Sequence, residues 1–91
     1  MLTIDAAADA LHMSPTDLAN ASLREYLEHQ LLKAETEIFV IGHKYGVKTV
    51  EDLENKLLNR QTTEETAFEE FFELDGLVAR KNRMAKLLGQ L

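Results

Sequence analysis

Apolar residues recur along this chain at the three- and four-residue spacing that places side chains on one side of an α-helix. The runs with this spacing are separated at three places, namely Ser14-Pro15, Gly46 and Gln61-Thr62-Thr63. The pattern predicts four helices, at about residues 4–12, 15–45, 50–60 and 64–88. Because no segment alternates apolar and polar residues over the length of a strand, we expect an all-α fold. The four helices would form one domain, residues 1–91, shaped as an elongated helical bundle.

The second predicted helix has clear signals at both ends. Ser14 can cap it, Pro15 suits its first turn, and Asp17 lies where the acid of a capping box would lie. Gly46 is the residue expected just past its end, because glycine readily takes the left-handed conformation that closes a helix. Thr49 begins a second capping box, which starts the third helix.

Helix 15–45 carries an apolar seam in which spacings of four and three residues alternate, as in a coiled coil. The seam consists of Leu27, Leu31, Ala34, Ile38, Ile41 and Tyr45. Such a helix is about 46 Å long, whereas a compact chain of this size has a diameter of roughly 30 Å. We therefore expect a homodimer in which these six residues form the interface. Helix 64–88 would pack antiparallel against helix 15–45.

The formal net charge is −6, and the charges are unevenly distributed. No Lys or Arg precedes Arg24, and acidic residues are concentrated in segment 64–75. Because contacts to phosphate come from Lys and Arg, this charge argues against a nucleic-acid partner.

The acidic segment also contains three of the four Phe residues of the chain. Its central residues are Phe68, Glu69, Glu70, Phe71, Phe72 and Glu73. The Phe residues span too wide an arc for all of them to be buried in a thin bundle. Aromatic anchors beside carboxylates would form a docking surface for a small basic protein. Alternatively, the Phe side chains fill the core and the acids form a solvated face, neutralised by Lys44, Lys48 or Lys56.

The sequence contains no set of residues typical of an active site or a metal site. With no Cys, there is no disulfide, thiolate ligand or Cys nucleophile. Glu25 and His29 are four residues apart and could supply two metal ligands, but a di-iron bundle requires further Glu and His pairs on other helices. We expect no enzymatic activity, no metal site and no cofactor.

The chain also lacks the apolar segments that a membrane or a secretory signal requires. The run Ile38-Phe39-Val40-Ile41 is only four residues long, whereas a span needs about 20. The first residues include neither a basic region nor a long apolar region, so they do not resemble a signal peptide. We expect a cytoplasmic protein that does not associate with membranes.

Residues 6–27 allow a second functional interpretation. They can form a helix-turn-helix, and Met13–Leu27 resembles the second helix of ribbon-helix-helix repressors, although the preceding strand of that family is missing. The recognition helix would present Thr16, Asp17 and Asn20, none of which is a cation that can contact phosphate or guanine. A DNA-binding transcriptional regulator is therefore the alternative function, and a packed helical hairpin is the non-functional interpretation.

Three segments resemble small acidic prokaryotic helical proteins of the antitoxin type. They are residues 22–28, 43–53 and 67–75, about a third of the chain. The resemblance implies a helical protein that binds and masks a basic toxin. Together with the expected homodimer, it predicts a non-enzymatic interaction module that neutralises a basic protein partner.

Overall fold

The computed structural model describes residues 1–59 and 67–91. These residues form four helices and no strand. The helices are α1 (Ile4–Ala10), α2 (Pro15–Tyr45), α3 (Val50–Leu58) and α4 (Ala67–Leu88). The molecule measures 59 × 25 × 16 Å along its principal axes. The predicted all-α, elongated fold is confirmed.

Helices α2 and α3 begin at the residues that the sequence predicts. The hydroxyl of Ser14 accepts a 3.0 Å hydrogen bond from the backbone N–H of Asp17. The hydroxyl of Thr49 accepts an equivalent 3.0 Å bond from the N–H of Asp52. Each bond satisfies an N–H group that has no partner within its own helix, which is why these residues start helices.

Helix α2 ends in a Schellman motif around Gly46. This glycine has a φ of 65°, and the N–H of Val47 donates to the carbonyl of Gly42 at 2.9 Å. The returning chain lies so close to the helix that a Cβ on Gly42 would be 2.8 Å from the Val47 carbonyl oxygen. Glycine at position 42 is therefore explained by the turn that follows it, and the predicted end of α2 is confirmed.

Helix α1 is shorter than the predicted 4–12, because it ends at Ala10. His12 has a φ of 57°, and the N–H of Met13 returns to the carbonyl of Ala8 at 2.9 Å. The helix thus closes with the same motif as α2, with histidine at the position where glycine is usual. The sequence offered no glycine to mark this end, so the predicted boundary was wrong by two residues.

The connection between α3 and α4 falls on residues 60–66, which lie outside the described part of the chain. The predicted end of the third helix at residue 60 and the predicted start of the fourth at 64 therefore stay predictions. Helix α4 runs through Asp75-Gly76 without a break. The prediction of a single helix across this stretch is confirmed.

Helices α2 and α4 pack antiparallel along most of α4, as predicted. At one end, the Arg80 guanidinium donates a 2.5 Å hydrogen bond to the side-chain oxygen of Gln30. At the other end, Lys44 pairs with Glu70 at 2.6 Å. The main core lies at this second end, where α3 also packs. It contains Ile41, Tyr45, Val47, Leu53, Ala67 and Leu74.

The chain exposes much more surface than a compact protein of its size. Its radius of gyration is 18.9 Å, against about 12 Å for a compact domain. Its accessible surface is 6890 Å², about 1,500 Å² more than a typical folded monomer of this mass. Within residues 1–59 and 67–91, none of the helices combines the length and the apolar character needed to cross a membrane.

Candidate functional site

The six residues predicted to form a dimer interface lie on the side of α2 that is covered within the chain. Ile38, Ile41 and Tyr45 pack in the same core as Ala67 and Leu74 of α4. Of the remaining three, Leu27 and Ala34 are buried and Leu31 is half-buried. These side chains are therefore occupied by intrachain packing, and a second copy of the chain would have to use different residues.

The segment predicted to bind a partner is divided between two sides of α4. Phe71 is half-buried against the core, and Glu70 is also half-buried. In contrast, Phe68 and Phe72 are 62% and 68% exposed. These two rings lie four residues apart, so they share one side of the helix.

The exposed residues of this segment form one continuous surface, which we call the acidic aromatic face. It consists of Phe68, Glu69, Phe72 and Glu73. Within the described residues, neither Glu69 nor Glu73 forms a hydrogen bond or an ion pair. Both carboxylates are therefore available to a cation from another molecule.

Glu70 has a different role, because its carboxylate joins α4 to the end of α2. Its Oε1 accepts hydrogen bonds from the Lys44 ammonium at 2.6 Å and from the Tyr45 hydroxyl at 2.9 Å. The Tyr45 carbonyl in turn accepts a 2.6 Å bond from the Lys56 ammonium in α3. In the alternative interpretation, lysines neutralise the acidic segment. Among the acids of α4 that the structure describes in this segment, Lys44 pairs with Glu70, whereas Glu69 and Glu73 have no such partner.

A groove of about 560 Å³ lies between the C-terminal third of α2, the turn after it and α4. Its apolar wall consists of Ile38, Phe39, Val47, Val50, Leu74 and Val78. Its polar residues are Glu35, His43, Lys48, Thr49 and Lys81. The Phe39 ring stacks on the His43 ring at 6.0 Å.

Sequence reasoning did not predict this groove. One available signal was Lys81, which interrupts the apolar seam of α4 at a position where a core residue would be expected. The other was the pair of glycines at 42 and 46, which both line the groove and contribute no side chain.

The helix pair considered for DNA binding is present at the start of the chain. Helix α1 packs on α2, and Ala8 is fully buried. Thr16, Asp17 and Asn20 are exposed. Residues 1–23 include no Lys or Arg, so this part of the helix pair lacks the groups that contact phosphate, and Arg24 is the first cation.

Glu25 and His29, the other candidate ligand pair, are both exposed. In the described part of the chain, no three His, Cys, Asp or Glu residues are grouped so that they could hold a metal ion.

Comparison with known proteins places the chain in a family. A model described as the Uncharacterized protein MJ0235 family matches residues 1–91, the full length of the chain. A comparison with curated proteins found no match, and neither did a comparison with solved structures. The function must therefore be argued from the surface itself.

Proposed function

We propose that this chain, which belongs to the Uncharacterized protein MJ0235 family, is a protein-interaction module that binds a basic protein through its acidic aromatic face. The observation that supports the proposal is the exposure of Phe68 and Phe72 beside two unpaired carboxylates. The module would act in the cytoplasm and would catalyse no reaction.

The energetics of this face suit association with a cationic partner. Burial of one Phe side chain contributes about 1.5–3 kcal/mol, so two rings would contribute about 3–6 kcal/mol. A micromolar interaction needs about 8 kcal/mol in addition to the cost of association, so further contacts around the two rings would supply the rest. Glu69 and Glu73, in a chain with a net charge of −6, would attract a basic surface and accelerate the encounter.

The homodimer forms part of the same proposal, although it would use other residues than the seam. Leu32 and Phe39 are large exposed side chains of α2, and their spacing of seven residues places them on one side of the helix. A standard interface covers about 800 Å² of accessible surface on each partner. The accessible surface of this chain is roughly 1,500 Å² larger than that of a compact monomer, so it is large enough for such an interface. A second copy could therefore cover the excess apolar surface of α2 and leave the acidic aromatic face free.

The antitoxin-type role implied by the sequence resemblance is a narrower form of this proposal. In that case, the basic partner would be a toxin, and the acidic aromatic face would mask the surface with which the toxin acts. The broader proposal requires only that the partner be basic.

A direct test starts by isolating the partner and then measures binding with purified proteins. The tagged chain captures proteins from native lysate, and the recovered partner is identified and produced separately. We expect a basic protein whose affinity falls as salt is raised. Phe72→Ala together with Glu73→Lys should weaken binding at least tenfold, which corresponds to about 1.4 kcal/mol.

The matched control is Leu58→Ala together with Glu54→Lys, which makes an apolar truncation and the same charge reversal on exposed residues of α3. This control should retain the original affinity. An acidic partner, or equal losses in the two double variants, would contradict the proposed surface.

A further inference from the structure

We infer that the groove between α2 and α4 binds an amphipathic carboxylate, of the chemical class of a medium-chain fatty acid. The tail would lie against the apolar wall formed by Ile38, Leu74 and Val78, and the carboxylate would bind between Lys48 and Lys81. This site is separate from the acidic aromatic face and does not depend on the function proposed for it.

Two of the residues that line the groove are glycines of the turn that ends α2. Position 46 requires glycine because the turn that ends α2 has a left-handed φ there. Position 42 requires glycine because the Val47 carbonyl lies too close for a Cβ. Both glycines are therefore required by the turn, and the groove lies beside that turn. Its volume of about 560 Å³ is within the range of about 300–1,000 Å³ that is usual for small-molecule sites.

Lys81 gives this apolar groove a positive charge. It lies seven residues after Leu74, which is buried, and three after Val78, so it follows the side of α4 that packs on α2. A leucine or methionine there would extend the core, whereas lysine places its apolar stem in the groove and its ammonium at the edge. Lys81 is half-buried, and within the described residues its ammonium has no hydrogen bond or ion pair.

The other charges around the groove favour an anion. Lys48 lines the same groove and, within residues 1–59 and 67–91, has no ion-pair partner either. Thr49 caps the start of α3, where the helix dipole adds partial positive charge. Glu35 is the single acid in the lining, and it forms no ion pair with either lysine. The groove lining therefore contains two cations, Lys48 and Lys81, and one carboxylate, Glu35. A monoanionic ligand would neutralise the remaining positive charge.

The test is a titration of the full chain with decanoate, below its micelle concentration and at low ionic strength, followed by calorimetry and by amide chemical shifts. Decan-1-ol and decyltrimethylammonium, which have the same tail with a neutral or a cationic head, are titrated in parallel. We expect saturable binding of decanoate, with the largest shifts at Phe39, Val47 and Val78. Decanol should bind at least tenfold more weakly, and the cation should not compete.

Lys81→Met separates a charge-dependent site from non-specific adsorption of a detergent-like molecule. Methionine keeps a stem of similar length and completes the apolar seam, so the variant should fold and lose at least tenfold in decanoate affinity. Lys48→Met should also weaken decanoate binding. It serves as a second variant if the Lys81→Met protein does not fold. Lys86→Met, which removes an exposed lysine of α4 outside the groove lining, should bind as the unaltered chain does.

Three results would overturn the inference. They are the absence of saturable decanoate binding, equal affinity for decanoate and decanol, and equal losses in the Lys81→Met and Lys86→Met variants. None of these results would affect the partner binding proposed for the acidic aromatic face, because no residue of that face lines the groove.

Discussion

The hydroxyl of Tyr45, in the last turn of α2, donates a 2.9 Å hydrogen bond to the carboxylate of Glu70 in α4. Tyr45 is a buried residue, and its ring belongs to the main core. The tyrosine thus stabilises the junction of α2 and α4 both by burial and by a hydrogen bond to a charged group.

Removal of this hydroxyl should destabilise the fold without altering its shape. Hydrogen bonds to charged groups contribute about 1.5–3 kcal/mol, so Tyr45→Phe should lower the free energy of unfolding by about that amount in urea denaturation. The loss of unfolding free energy should be near the lower value of this range, because Lys44 still pairs with Glu70. Tyr26→Phe is the control, since Tyr26 is exposed. Equal stability of the two variants would show that the Tyr45 bond contributes nothing.

The two glycines at positions 42 and 76 should respond to alanine in opposite ways. A Cβ at position 76 has no atom within 4 Å, so Gly76→Ala should stabilise the protein by about 0.5–1 kcal/mol through helix propensity. At position 42 the same propensity gain is opposed by the 2.8 Å approach to the Val47 carbonyl. We expect Gly42→Ala to be destabilising in thermal unfolding. An increase in stability for both variants would mean that the turn after α2 can relax.

Leu53 should be the most sensitive residue of α3. It is 0% exposed, whereas Leu58 in the same helix is 72% exposed. Truncation of a buried leucine costs about 2–5 kcal/mol, which is a large part of the total stability of a small domain. Leu53→Ala should therefore show a strongly reduced denaturation midpoint, and Leu58→Ala should be nearly unchanged. Similar midpoints would indicate that α3 is not docked on α2 and α4 in solution.

Sedimentation velocity tests the proposed homodimer. At micromolar concentration we expect a species of about twice the 10.3 kDa chain mass. Leu32→Asp places a charge among the exposed apolar residues of α2, and it should give a monomer with unchanged helical circular dichroism. Glu37→Gln, also exposed on α2, should remain dimeric. A monomer for the unaltered chain would refute the homodimer, whichever surface it was assigned to.

Much of the local structure follows from short-range signals that the sequence displays directly. Ser14 and Thr49 predicted helix starts because their hydroxyls satisfy backbone groups only three residues away. Gly46 predicted the end of α2 because the left-handed conformation is intrinsic to glycine. Where such a signal was missing, at His12, the predicted end of α1 was two residues too late.

The roles of neighbouring side chains could not be assigned from the same information. Glu69, Glu70 and Glu73 are chemically alike in the sequence, yet Glu70 alone meets Lys44 and Tyr45. Likewise, Phe71 packs on the core while Phe68 and Phe72 are exposed. Each difference depends on how α4 is rotated about its axis against α2, and that rotation is set by contacts between residues 25 or more positions apart.

The sequence alone determined where α2 begins and ends, because these ends depend on hydrogen bonds within a few residues. It also determined that this chain is helical and that one side of α2 must be covered, because both follow from the repeating pattern of apolar residues. Only the tertiary structure decided that α4 of the same chain covers that side. It also decided which carboxylates stay unpaired and that Lys81, Gly42 and Gly46 surround one groove. The periodicity of the apolar residues indicates that one side of α2 must be buried. Which segment buries it depends on packing between residues far apart in the sequence.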